Sequence, residues 1–234
     1  AYVSEDKKVG AVVEVNAETD FVAKNEEFKA FVADVAEIVT AENPADVEAL
    51  LEVKYKGTEK TVREVLTDKI ATIGENMSIR RFQRFESEGL VESYIHGDGK
   101  IAVLVSFAKG ETVLAKDVCM QIAAMNPSYM DKSVVPAEDV EHEKNIIIAQ
   151  MKEDPKNANK PENILEKMVE GKIGKFFEES CLLQQKFVKD DKVSVEKYLA
   201  NNGVKLVDYV RFEKGEGLEK KEENFADEVA SMIK

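Results

Sequence analysis

Cysteine is scarce in this chain of 234 residues: Cys119 and Cys181 are the only two, and they show no C-x-x-C spacing. A disulfide framework is thereby excluded, and free buried thiols in a reducing compartment are expected. Histidine is equally scarce, and His96 and His142 with two scattered cysteines make no zinc ligand set. Neither a metal nor a cofactor is expected. No run approaches the ~18 apolar residues of a bilayer span, so no membrane partner is expected. Positive charge is also in short supply. Lys and Arg total 33 against 46 Asp and Glu, a net charge of −13. Such a chain lacks the basic field that supplies nonspecific affinity for phosphate backbones, which excludes direct nucleic-acid binding as the main activity.

Glycine-rich phosphate loops are missing as well. His96-Gly-Asp-Gly-Lys100 lacks the required spacing and lies between two strands, where a turn is the better reading. Gly171-Lys-Ile-Gly-Lys175 lies in a helical pattern, and Gly215-Glu-Gly217 lacks a third glycine and a following βαβ unit. No nucleophile–base pair stands out, so the chain does not read as an enzyme.

What is present is a repeat. The apolar fraction of 44% suffices for a sizeable core, and the length allows one large domain or two small ones. A shift of 92 residues without gaps sets Tyr2 on Tyr94, Lys8 on Lys100, Val9 on Ile101, Val12 on Leu104, Val13 on Val105 and Val15 on Phe107. Each copy reads as a hairpin, and the second strand of the first copy, Val9–Val15, suits a half-buried pleated surface. A helix follows each time, about Asn25 to Val39 with Phe28, Phe31, Val32, Val35 and Ile38 at helical spacing, and about Thr112 to Met125 with Val113, Val118, Ile122 and Met125 apolar. Pro44 suits the first turn of a short helix through Leu51. Thr58 to Ile73 reads as a further helix that Gly74 ends as a left-handed cap, and Met77 to Phe85 as a strand. Arg84-Phe-Glu86 and Arg211-Phe-Glu213 close the two halves. The offset there is 127, so the second half contains an insertion.

That insertion is a pair of helical patterns, Ala137 to Glu153 and Glu162 to Ser180, bounded by Asp154-Pro155 and Lys160-Pro161. They make an antiparallel helical hairpin. A short helix, Val195 to Asn201, the strand Lys205 to Glu213 and an amphipathic helix, Glu222 to Ile233, complete the chain. The expected fold is α+β: two related subdomains, each a small antiparallel sheet with helices, plus the inserted hairpin (a coiled coil) and a C-terminal helix. The expected boundaries are 1–88 for the first subdomain, 89–136 with 181–217 for the second, 137–180 for the hairpin and 218–234 for the C-terminal module.

One segment breaks local rules, Glu14-Val-Asn-Ala-Glu-Thr-Asp-Phe-Val-Ala-Lys24. Between strand and helix a polar capping turn is expected, and Thr19 or Asp20 could cap. Phe21 would then pack under the helix as a hydrophobic staple. In the alternative, Phe21 stands exposed at a loop tip beside an acid, as an anchor for a partner. The residues alone leave both open.

The same segment closely resembles the signature of the elongation factor Ts family, the guanine-nucleotide exchange factors of elongation factor Tu. Lys69-Ile-Ala-Thr-Ile-Gly-Glu-Asn-Met-Ser-Ile-Arg-Arg81, Tyr94-Ile-His-Gly97, Met168-Val-Glu-Gly-Lys172 and Val210-Arg-Phe-Glu-Lys-Gly-Glu-Gly217 are similar to further parts of that family, in order along the chain. Ala17 departs from the Cys or Ser usual in the family. The family's small N-terminal UBA-like domain has no counterpart here, so a truncated molecule is expected. The resemblance implies a partner, elongation factor Tu in its GDP-bound and nucleotide-free forms, and a site of Thr19, Asp20, Phe21 and Val22 as a wedge, with Ile73 and Gly74 at an exposed helix end and His96 in a turn at the interface. It also implies a bacterial cytoplasm and self-association through the helical hairpin. The competing reading is a non-catalytic adaptor that acts through the hairpin.

Overall fold

The computed structural model describes residues 1–157 and 160–218. The first half begins with β1 (Tyr2–Val3) and β2 (Val9–Ala17), followed by the single-turn helix α1 (Asp20–Ala23). Then come α2 (Glu26–Glu42), α3 (Val47–Glu52), α4 (Val62–Ile73) and β3 (Met77–Glu86). The second half contains β4 (Leu90–His96), β5 (Ile101–Lys109) and α5 (Thr112–Met125). The hairpin helices α6 (Ala137–Glu153) and α7 (Glu162–Ser180) come next. Two short strands, β6 (Lys186–Phe187) and β7 (Asp190–Ser194), lead through α8 (Val195–Asn201) to β8 (Lys205–Glu213).

The repeat is carried down to strand register. Tyr2 faces Ala11 in β1–β2, and 92 residues later Tyr94 faces Val103 in β4–β5. Gly10 faces Phe85 in β2–β3, while Ala102 faces Phe212 in β5–β8, the same pairing under offsets of 92 and 127. Both sheets are three-stranded and antiparallel, in the orders β1-β2-β3 and β4-β5-β8. The closing arginines have diverged. Arg84 donates from Nε to the Thr40 carbonyl in the last turn of α2 at 3.0 Å, whereas Nε and one terminal nitrogen of Arg211 are buried without a partner among the described residues.

Each central strand is buried on both faces, which corrects the half-buried surface expected of Val9–Val15. Ala11 and Val13 pack on Phe31, Val35 and Val39 of α2 and on Leu50 of α3. Val103, Val105 and Phe107 pack on Val118 and Ile122 of α5 and on Leu199 of α8. The opposite faces meet each other: Val12 of the first sheet lies with Val91, Ala102, Leu104 and Phe212 of the second. The layers therefore run helices, sheet, sheet, helices. A second sheet covering the first explains why β2 and β5 read as near-continuous apolar runs, the pattern of strands with no solvated face. Gly10 fits this close approach, since a Cβ there would lie 2.9 Å from Val91 Cγ1.

Helix boundaries follow capping chemistry. The α3 start is set by Asp46, whose side chain accepts from the Ala49 amide at 2.8 Å, so Pro44 falls outside the helix. The α4 helix begins at Val62 rather than Thr58, because Thr61 and Glu64 form a reciprocal capping box and the preceding turn is closed by a bridge between Lys54 and Thr61. The hairpin helices have the predicted limits, and Ile147, Met151 and Ile173 form their buried seam. Gln121 ties the chain's return from the hairpin to α5: it donates to Gln185 and to the Lys186 carbonyl, both at 3.1 Å, and accepts from the Val188 amide at 2.7 Å. Cys119 and Cys181 are free and buried, and burial pushes the Cys119 thiol up. The expected helix Glu222 to Ile233 lies outside the described residues.

If the interface between the sheets is the centre of the fold, truncating it must cost far more than truncating an exposed helix residue. Leu104, with no exposed surface, should lose about 2–5 kcal/mol of stability as Leu104→Ala. Val113→Ala, at a side chain 70% exposed, should change it by less than about 0.5 kcal/mol. Urea unfolding of the two variants beside the parent chain measures both.

Candidate functional site

Where β2 ends, the chain turns into α1. A helix of four residues cannot hold itself together, since nucleating one turn costs more than its few hydrogen bonds return. It is therefore held from outside. Thr19, in extended conformation, is the N-cap, its hydroxyl accepting from the Val22 amide at 3.4 Å. Glu75 grips the same residue twice, accepting from the Thr19 amide at 3.0 Å and from its hydroxyl at 2.7 Å. Val22 is buried with Phe28 and Met77, against Val15, Leu66, Ile70 and Ile73.

With Val22 inward, the residue before it points away. Phe21 is 88% exposed, the most exposed of the large hydrophobic side chains among the described residues. Of the two placements of this ring left open by the sequence, the exposed one holds. The inward position that a staple would need is taken by Val22, and Thr19 rather than Asp20 is the cap.

Ile73 and Gly74 stand behind this turn. Gly74 has φ +80°, and its amide donates to the Ile70 carbonyl at 2.9 Å, a left-handed cap that reverses the chain and delivers Glu75 to Thr19. Ile73 is half-buried against the Val22 cluster, not fully exposed as the resemblance implies, because its side chain helps floor the turn. His96 is exposed at the end of β4, with its Nδ1 3.2 Å from the Tyr94 hydroxyl. It leads into the turn Gly97–Lys100. The Lys100 carbonyl accepts from the Lys214 amide at 2.8 Å, and Lys214 Nζ reaches Asp20 at 3.0 Å. The structure thus gathers Thr19, Phe21, Val22, Ile73 and Gly74 into one unit, and links Asp20 to the hairpin tip that His96 enters.

The electrostatics centre on a residue beneath the turn. Glu14 is buried, and its carboxylate accepts from Arg80 at 3.0 and 3.2 Å, from Arg81 Nε at 2.6 Å, from Asn16 at 3.1 Å and from the Gly215 amide at 3.0 Å. Consecutive strand residues normally point to opposite faces. Here a bulge opposite Glu14 and Val15 leaves Arg80 unpaired in the ladder, and both guanidinium groups converge on one carboxylate. Arg81 also lies over the Phe212 ring, 4.2 Å from its centre. Burial pushes the Glu14 carboxyl up, but the Gly215 amide and the Arg80, Asn16 and Arg81 donors outweigh it and leave the pKa below its ordinary value. Asp20 is exposed, and its pKa is lowered by the hydrogen bond and charge of Lys214.

Glu14, Glu75, Arg80, Arg81 and Lys214 were not picked out from sequence as site residues. Glu14, Arg80, Arg81 and Lys214 owe their roles to ion pairs with residues 66 or more positions away, and charge alone does not distinguish them from other surface groups. No cluster of three or more potential metal ligands occurs among the described residues, and no described helix is long and apolar enough to cross a membrane.

Comparison with known proteins identifies relatives of the whole chain. A family model described as elongation factor TS matches residues 18–216. An elongation factor Ts of Clostridium perfringens is 53% identical over 243 residues, which span 99% of this chain and 78% of the relative. The protein of the same description from Clostridium acetobutylicum is 45% identical over 245 residues, spanning 100% and 79%. One from Clostridium botulinum is 47% identical over 244 residues, spanning 99% and 79%.

The lowered Glu14 pKa has a definite pH consequence. A carboxylate more acidic in the folded than in the unfolded state stabilises the fold above its unfolded value, ordinarily 4.5, and that contribution is lost as pH falls through the lower folded value. Glu14→Gln should therefore cost about 1–3 kcal/mol at neutral pH and flatten the loss of stability below pH ~4.5. Urea unfolding from pH 7 down to pH 3 checks this; an acid limb unchanged in slope would remove Glu14 from the account.

Proposed function

The chain belongs to the elongation factor Ts family, and we propose that it is a guanine-nucleotide exchange factor that binds elongation factor Tu carrying GDP and drives GDP release with Thr19-Asp20-Phe21-Val22 as its wedge. One observation carries this reading: Phe21 is exposed on a turn held by the two Thr19–Glu75 hydrogen bonds and the burial of Val22. An apolar ring held out in water is an unfavourable arrangement that burial in a partner reverses, gaining about 1.5–3 kcal/mol. Asp20 travels with it as an ionised acid, directed toward the phosphates and Mg²⁺ of the partner's nucleotide.

Exchange of this kind involves no bond making or breaking by the factor. It requires tighter binding to the nucleotide-free partner than to the GDP-bound one, and the coupling is reciprocal. A 10⁴-fold shift needs roughly 5.5 kcal/mol of differential affinity. Phe21 alone falls short of that, so the wider surface must add to it. Ile73 and Gly74 at the helix end, His96 at the hairpin tip and the outer strands of the second sheet are proposed to supply that surface, in a bacterial cytoplasm where the partner resides. The helical hairpin presents Ile146, Ile148 and Ile164 to solvent, which favours self-association as a separate role for that insertion.

Phe21→Ala should slow release of a fluorescent GDP analogue from elongation factor Tu by about tenfold or more, the kinetic equivalent of the burial it forfeits. Stopped-flow mixing with excess unlabelled GDP measures the rate. Because the side chain is exposed, the variant should unfold within a degree or two of the parent chain. Parental release rates in this variant would overturn the wedge assignment.

A further inference from the structure

The turn after β8, residues 214–217, belongs by sequence to the second half of the molecule, yet it reaches across to the base of the wedge. The Gly215 amide donates to buried Glu14 on β2 at 3.0 Å. The Glu216 carbonyl accepts from Arg80 at 2.5 Å, and its carboxylate from Arg81 at 3.2 Å. Lys214 reaches across to Asp20 at 3.0 Å while its own amide is fixed to the Lys100 carbonyl of the second sheet. Gly215 and Gly217 both have positive φ, +74° and +71°, which gives the turn the sharp reversal these contacts need.

We propose that this turn is a positioning device: Lys214 sets the orientation of the Asp20 carboxylate, the backbone bond from Lys214 to Lys100 makes that orientation depend on the second sheet, and the lock of Glu14, Arg80 and Arg81 on Gly215 and Glu216 holds the turn against the first sheet. The inference rests on the wedge reading given above. It assigns Lys214 a role although the residue need not touch the partner. Docking of the second sheet on a partner is then felt at Asp20 through a chain of three links. The sheet fixes Lys100, Lys100 fixes the Lys214 backbone, and Lys214 Nζ holds the acid. The alternative role for the same ion pair is restraint, in which Asp20 must leave Lys214 before the wedge can act. The two roles predict opposite signs.

The test uses the full chain with Lys214→Met and Lys214→Arg, and Phe21→Ala alongside as the control on the wedge. Release of labelled GDP from elongation factor Tu is followed over a range of chain concentrations, so that the maximal rate and the half-saturating concentration are obtained separately. An exposed ion pair supports an effect of about two- to fivefold. Lys214→Met should lower the maximal rate by that factor, with half-saturation changed by less than about twofold, and Lys214→Arg should restore the rate. Raising the salt concentration should bring the parent chain toward the Lys214→Met value while leaving that variant little changed. A structural defect alone would not be rescued by arginine at an exposed position or mimicked by salt. A parental maximal rate in Lys214→Met, while Phe21→Ala is slow, overturns the positioning role and leaves the wedge intact. A faster rate overturns it in favour of restraint. Parental rates in Phe21→Ala overturn the wedge and this inference with it.

Discussion

The burial of Val22 is the constraint from which the rest of the site follows. In a single helical turn, the direction of one side chain fixes those of its neighbours. With Val22 packed on Phe28 and Met77, Phe21 has no inward position left. The Thr19 cap and its two hydrogen bonds to Glu75 hold the turn in that rotation. Exposure of the ring is thus a built property of the free protein. A site prepared before binding avoids the entropic cost of ordering it on encounter.

Beneath the turn, the molecule places charge with equal economy. Glu14 sits at a bulge that brings Arg80 and Arg81 onto one carboxylate, and the Gly215 amide completes the set. A buried carboxylate is tolerated only when its oxygens are well supplied with donors. Here those donors come from both halves of the repeat. The apolar contact between the two sheets, around Val12 and Leu104, brings the halves together, and Glu14 fixes how they meet beside the Thr19–Val22 turn.

Much of this fold was legible in the sequence. The 92-residue shift anticipated the strand register, and the limits of α5, α6, α7, α8 and β8 fell where periodicity and proline placed them. The errors have local causes. At Thr58 and Pro44, helical composition extends beyond the true starts, which are set by side chain–backbone bonds, the capping box at Thr61 and the Asp46 cap. The half-buried surface expected of Val9–Val15 rests on β-branched content alone, and one copy of the repeat does not reveal that the other copy covers its second face. In the site, Thr19, Asp20, Phe21 and Val22 were visible as a segment that breaks its local pattern. Which of them faced solvent was not, because Val22 and Phe21 are both apolar and only the tertiary packing of Met77 and Ile73 chooses between them. Lys214 and Glu75 were invisible for a different reason: their roles are set by partners 194 and 56 positions away.

The central claim is that the residue at position 21 projects into solvent in the free chain and enters a partner on binding. The chain contains no tryptophan, so Phe21→Trp creates a single fluorescent reporter at that position. In the free chain its emission should be that of a water-exposed indole, fully open to acrylamide quenching. Addition of nucleotide-free elongation factor Tu, with that protein's own emission subtracted, should shift the emission to the blue and protect the indole from the quencher. An indole already shielded in the free chain, or one that stays open to acrylamide in the complex, would contradict the account.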